Sequence, residues 1–315
     1  MMIDVAQIPV PFRMQPGMHR ADPGWTPLTP SSPEGRHLRE KMAVLSAYAD
    51  QAVLAEAGFD ASPALAAIAT EASRAAQAAF CFDAAGDVCA APLLGWSVHA
   101  GAVVGDGDPA VGELLRGLPG SRRAAALLSL AFEEDFAVID SAARIPWLAV
   151  CLPSRWAPEQ KVGRHFAEVH APVADNAVLL AAAEPLVRLV TGPARWRREV
   201  WTLSADPRLH QHPDRSHAVW PADADADTLA GMASFRHEQQ AFLPIAGTGQ
   251  AVFTIHVDSQ PLHDAVTSRR LALRLHDSLA SMSLAVLAYR GLDVARERLL
   301  GWLAARAASM PDAAS

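Results

Sequence analysis

Apolar positions recur at helical spacing over residues 36–58, 62–82, 113–132, 175–190, 264–289 and 292–307. Between these stretches the pattern shortens to strand-length runs or turns to alternation. Residues 136–140 and 145–152 predict a hairpin with the four residues SAAR as its loop. Residues 196–204 predict a strand, and residues 232–243 and 250–257 alternate and predict two more, joined by the turn-prone IAGTG. Residues 83–110, with short apolar runs among Gly, Pro and Asp, predict a strand or two. Residues 158–169 predict a helix that Pro172 ends. Ser62 is an expected N-cap with Pro63 behind it; Asp175 is expected to cap the 175–190 helix and Gly192 to close it. Gly291 separates the last two helices. Helices therefore flank a meander of five or more antiparallel strands, an α+β arrangement.

Residues 1–35, rich in Pro and Gly, predict an extended arm, with PFRMQPG at residues 11–17 as a docking segment. Residues 36–310 then form a single domain. At 315 residues, with 51% hydrophobic and 19% charged, the chain is long enough to bury a substantial core. The net charge of −7 argues against nucleic acid as a partner. The sequence has no uninterrupted apolar run long enough for a membrane span, and its first residues lack a secretory pattern. Cys81, Cys89 and Cys151, an odd set without CxxC spacing, fit a reducing cytoplasm and do not make a four-thiolate zinc or iron–sulfur site.

Familiar cofactor motifs are absent. GDGDP at residues 105–109 is not a dinucleotide fingerprint, GTGQ at 247–250 is a hairpin turn, and DADAD at 223–227 lacks the Gly and Glu of a calcium loop. No flavin, NAD(P) or Walker signature is present, so any redox chemistry needs electrons from another chain. Histidines are the remaining metal candidates. His210, His212 and His217 share a loop without a convincing ligand spacing, and His237 and His256 lie in strands. His170 ends a short helix beside an apolar sheet, one way to hold a haem iron; the plain alternative is a helix-terminal His bonded to the last carbonyls.

Several segments, in order, carry a resemblance: PFR at 11–13, EEDF at 133–136, PSRWAPEQKVGR at 153–164 running into VHAPV at 169–173, RREVWTLSADPRLH at 197–210, RHEQQ at 236–240 with VFTI at 252–255, and YRGLDVARERLLGWL at 289–303. Together they resemble the family of the α subunit of haem-dependent oxidative N-demethylase. The resemblance implies a haem-binding fold of the Per-ARNT-Sim (PAS) type elaborated with helices, and a b-type haem on one axial His. It implies a monooxygenase-like oxidation of a small methylated amine such as dimethylamine by O2, with formaldehyde released. It also implies separate subunits that bring electrons from NADPH through flavin and an iron–sulfur cluster.

On that reading His170 is the iron ligand, with His165, one turn away, as the alternative. Glu238 is the candidate to hold a protonated amine and move its proton. Arg236, two residues earlier and so on the same face, orients Glu238 or binds a haem propionate; an exposed ion pair is the plain alternative. Lys161, Arg164, Arg197 and Arg198 are further propionate candidates, each equally explained as a solvated surface cation. Two positions depart from the family pattern. Gln239 replaces an Arg after the Glu, losing a fixed charge but keeping hydrogen-bonding capacity, and it is retained as a candidate site residue. Val200 stands where Asn is common. The competing expectations are a haem-based gas or redox sensor without turnover, and a haem-free domain that binds a ligand or partner.

Overall fold

The computed structural model describes residues 3–74 and 79–311. Its strands are β1 (His19–Arg20), β2 (Val53–Ala55), β3 (Cys81–Asp83), β4 (Val88–Ala91), β5 (Trp96–His99), β6 (Ala102–Gly105), β7 (Asp135–Asp140), β8 (Trp147–Ala149), β9 (Trp196–Ser204), β10 (Ser234–Ile245) and β11 (Gln250–Pro261). Seven form an antiparallel sheet in the order β1-β9-β10-β11-β7-β8-β2, and β3 to β6 form a second, meandering sheet. The long β10–β11 hairpin is the spine, in register from Ser234↔Pro261 to Ile245↔Gln250.

Helices α1 (Arg36–Ala52), α2 (Ser62–Ala72), α3 (Pro109–Gly117) and α4 (Gly120–Ala131) precede β7; α5 (Phe166–His170), α6 (Ala177–Ala181) and α7 (Ala183–Val190) lie between β8 and β9. Helix α8 (Ala226–Met232) leads into β10. Helices α9 (Leu262–Ala265), α10 (Arg269–Ala280), α11 (Leu284–Arg290) and α12 (Arg296–Ser309) close the described chain. One core joins α1, α2 and α4 to the sheets through Leu45, Ile68, Leu127, Phe132, Phe136 and Val252. A second packs α8 and α10–α12 on Trp201 and Phe235. The α+β, antiparallel expectation holds, with more strands than the pattern revealed.

Several boundaries differ, each for a local reason. The expected 113–132 helix is two helices, because Pro119 cannot supply an amide mid-helix. The expected 36–58 helix ends at Ala52, and Val53–Ala55 joins the sheet edge against β8. Residues 158–169 form a single 3-10 turn and then, later, α5. Gly163 there takes a left-handed φ of +75° and its amide donates to Ile145 O at 2.8 Å, so the segment pairs with a strand end instead of winding on. The 175–190 helix breaks at Ala182. Pro185 has no amide, and its ring opposes the carbonyl of Ala181, four residues back. Asp175 has φ of 51° and caps nothing; Asn176 precedes the helix. Ser62 is the first helical residue rather than the cap, and its amide is taken by Asp60 Oδ1 at 2.9 Å. The expected helix over residues 62–82 stops at Ala72, and its residues 75–78 lie outside the described residues.

The N-terminal arm does not trail free. Ile8 is fully buried, its carbonyl accepts from Arg274 Nε at 2.7 Å, and the Phe12 amide donates to Ser281 Oγ at 2.9 Å. His19–Arg20 then adds an edge strand to β9. The arm thus crosses the C-terminal helices and arrives at the sheet edge beside the site.

Candidate haem and substrate site

A cavity of about 720 Å³ lies over β9 and β10. Its other walls are the arm around Phe12–Met18, the loop carrying Ser154–Trp156, His170 at the end of α5, and Tyr289–Arg290 at the end of α11. The volume is within the range of cofactor and ligand pockets.

Helix α5 is short but well fastened. His165 caps it: its Nδ1 accepts from the Ala167 amide at 3.1 Å, and Glu168 returns the bond to the His165 amide. One turn on, His170 Nδ1 lies 2.8 Å from Phe166 O, and the two rings pack at 4.0 Å between centroids. A carbonyl only accepts, so Nδ1 carries the hydrogen and Nε2 is the bare nitrogen. Nε2 makes no hydrogen bond among the described residues. Burial pushes the His170 pKa down to about 4, with Arg198 and Lys161 opposing its protonation further. A neutral imidazole with its second nitrogen held by a backbone carbonyl has the form of a metal-ligating histidine.

Alternation along β10 brings Arg236, Glu238 and Gln240 to the cavity. Their polar atoms make one chain. Arg236 Nε donates to Ser154 Oγ at 2.8 Å; Ser154 Oγ donates in a short contact to Glu238 Oε1; Gln240 Nε2 donates to Glu238 Oε2 at 2.5 Å; Arg198 Nε donates to Gln240 Oε1 at 2.6 Å. Arg236 is 1% exposed and also donates to the carbonyls of Leu209 at 2.9 Å, Arg208 at 3.1 Å and Leu152 at 3.3 Å. It is a buried clamp, not an exposed ion-pair partner. Across the cavity Arg290 donates to Trp201 O at 2.6 Å and lies over the Phe12 ring at 4.6 Å. Burial lowers Arg236 and Arg290 to about 10, partly offset by Glu238, and it lowers Arg198 as well. At pH 7 all three remain cations.

The structure thus gathers His170, Glu238, Arg236 and Arg198 at one cavity. It does not bring the other candidates there. Gln239 is paired in register with His256 and Glu199 and is not among the lining residues. His165 is the helix cap. Lys161 donates to Val169 O at 3.3 Å, Arg164 is exposed, and Arg197 lies over Trp25 at 5.4 Å. Ser154, Gln240, Tyr289 and Arg290 were missed. Gln240 was readable from period-two spacing with Glu238, whereas Arg290 depended on how α11 ends. The other departure, Val200, does line the cavity and is paired with Glu238.

A model of the family described as haem-dependent oxidative N-demethylase, alpha subunit-like, matches residues 113–300, more than half of the chain. The chain belongs to this family. Membership in the N-demethylase α-subunit-like family carries haem dependence and oxidoreductase character as its name gives them, and its designation as an α subunit implies other subunits. The matched span contains α5, β9, β10 and α11, the elements that carry His170, Arg198, Glu238 and Arg290. No single helix among the described residues is long and apolar enough to cross a membrane.

Proposed function

We propose that this chain is the haem-binding catalytic subunit of an oxidative N-demethylase-like monooxygenase that acts on a small methylated amine in the cytoplasm. The observation that carries the reading is His170. Its Nδ1–H is fixed on Phe166 O and its Nε2 is left bare, on a cavity shared with an ionisable carboxylate. His170 would hold the iron of a b-type haem, and Arg198 and Arg290 are the cations suited to its propionates. The PAS-type description of the sheet belongs to the same proposal. When bound, the haem supplies the one-electron and dioxygen chemistry that side chains lack.

Glu238 receives the ammonium of the substrate. Ser154 and Gln240 each donate to it, and lone pairs remain on both oxygens for an N–H donor. It also takes the proton that the amine must lose before an N-methyl carbon is oxidised. The methyl carbon leaves as formaldehyde with one atom of O2, the other atom leaves as water, and two electrons come from a separate flavin and iron–sulfur reductase drawing on NADPH. Ser154 and Gln240 hold the carboxylate in place, and Arg236 holds Ser154.

Absorption spectra of the purified protein, expressed with a haem precursor, test this beside His170→Ala. The expected result is a Soret band that shifts or disappears in the variant, then an amine-induced spectral change and formaldehyde release when electrons are supplied. A protein without a Soret band after reconstitution would sink the haem reading. A band that His170→Ala leaves unchanged would move the ligand elsewhere.

A further inference from the structure

A second cluster lies away from the cavity. His37 is in the first turn of α1, Glu133 stands between α4 and β7, and His256 is on β11; none of the three lines the cavity. One donor atom from each lies within 4.8 Å of the others. Glu133 Oε2 is 3.0 Å from His256 Nε2 and 3.5 Å from His37 Nδ1, and the two imidazoles stack at 5.2 Å.

The tautomers make this arrangement informative. His37 Nε2 lies 2.7 Å from Val257 O, so it carries the hydrogen and Nδ1 presents a bare lone pair. His37 Nδ1 faces the Glu133 carboxylate oxygen at 3.5 Å, longer than an ordinary hydrogen bond and within the spacing of two donors around one cation. Tetrahedral donors bound at about 2.0–2.2 Å stand roughly 3.3–3.6 Å apart; the 3.5 Å spacing fits that figure, and the 3.0 Å one is a His256–Glu133 hydrogen bond that an ion would replace with a small outward shift. The Val257 carbonyl supplies the outer hydrogen bond that fixes a ligating His. The nearby Lys41 ammonium is paired with Asp135 at 3.2 Å, which offsets part of its repulsion of a dication. Glu133 keeps 20% of its side chain exposed, which gives an ion access and leaves a fourth position for water.

We infer that His37, Glu133 and His256 form a binding site for a first-row divalent ion of the zinc class, which ties α1 to the central sheet. Two imidazoles and a carboxylate suit zinc and cobalt better than calcium or magnesium, which prefer all-oxygen shells.

The test uses the haem-loaded protein, stripped with a chelator and titrated with Zn²⁺, with Co²⁺ as a spectroscopic probe. Wild type should retain a single equivalent of Zn²⁺ through gel filtration, show cobalt ligand-field bands and melt at higher temperature with Zn²⁺. His256→Ala should weaken Zn²⁺ binding roughly 100-fold or more, the upper end of what is lost even when an outer partner is removed. Glu133→Gln keeps the hydrogen-bonding shape of the partly exposed residue, so its folding is secure; it should bind Zn²⁺ with a similar loss and show no thermal response to the metal. Glu159→Gln, in the other His/carboxylate group with His212 and Asp214, should retain the ion. Wild type that holds no Zn²⁺, or Zn²⁺ that survives Glu133→Gln but leaves with Glu159→Gln, overturns the assignment.

Discussion

Replacing Arg236 with Met isolates what the buried guanidinium contributes. The substitution keeps an unbranched apolar stem but deletes donors to Ser154 Oγ at 2.8 Å, Leu209 O at 2.9 Å and Arg208 O at 3.1 Å, besides two longer contacts to Leu152 O and Pro153 O. A buried acceptor left without its donor costs about 1–3 kcal/mol, and hydrogen bonds to a charged group contribute about 1.5–3 kcal/mol each. Met returns part of this, because the cost of desolvating a guanidinium disappears with it. Glu238 meanwhile loses one of the fixed cations that compensate its charge. The expected loss is about 4 kcal/mol, within the ~3–5 kcal/mol typical of a buried charge network broken on one side and large beside a total stability of about 5–15 kcal/mol. Arg236→Lys should recover about half, since one ammonium cannot reach carbonyls that a planar fork spans. Urea titration of both variants, with m-values, measures this. A loss under about 1 kcal/mol in Arg236→Met, with an unchanged m-value, would refute the argument that the guanidinium holds the 152–154 and 208–209 segments over the cavity.

The two departures from the family pattern should behave differently. Val200→Asn places an amide opposite Glu238 and should change the dissociation constant of a small amine about tenfold; Gln239→Arg, outside the cavity lining, should leave it within about twofold. Spectral titration of the two variants checks both, and equal responses would contradict the cavity boundary. Acid should weaken the fold through His210, whose Nδ1 bonds Cys151 O at 2.7 Å and whose pKa burial lowers. Its folded pKa lies below the unfolded 6.5, so the folded state binds fewer protons, and this contribution is complete above pH 6.5 and lost as pH falls below it. The stability gap between wild type and His210→Gln should therefore narrow from pH 7 to pH 5 in urea titrations; a constant gap would rule this out.

What the sequence disclosed depended on how local the cause was. Trp196–Ser204 was read at both ends because alternation and flanking Gly and Pro residues act within the strand itself. The four short strands of the second sheet were underestimated because Cys81–Asp83 and Ala102–Gly105 carry little hydrophobic contrast and exist by pairing. Pro119 and Pro185 stood in plain view as helix breakers, and the apolar spacing around them masked their effect. At the site, Glu238 and Arg236 were legible from period two, and the same rule, applied one step further, selects Gln240 and excludes Gln239. Ser154, Arg290 and the His37–Glu133–His256 cluster join distant segments, and no local pattern announces such a meeting.

The charge balance of the cavity bears on which ligands it can take. On the cavity lining Arg13, Arg155, Arg198, Arg236 and Arg290 outnumber the carboxylates Glu199 and Glu238, and Arg236 has further carboxylates, Asp135 and Asp206 among them, acting on it from behind the lining. Arg236 and Arg290 are held by backbone carbonyls, and burial lowers both only to about 10, so neither is relieved by losing its proton near neutral pH. A cationic amine alone would add to that excess and bind weakly. An anionic group with two carboxylates would compensate the arginines and leave Glu238 as the remaining negative site, to which an ammonium then binds. On the proposed function, amine binding would depend on the anionic cofactor being in place first. That order would follow from the fixed charges that β9, β10 and α11 carry into one cavity.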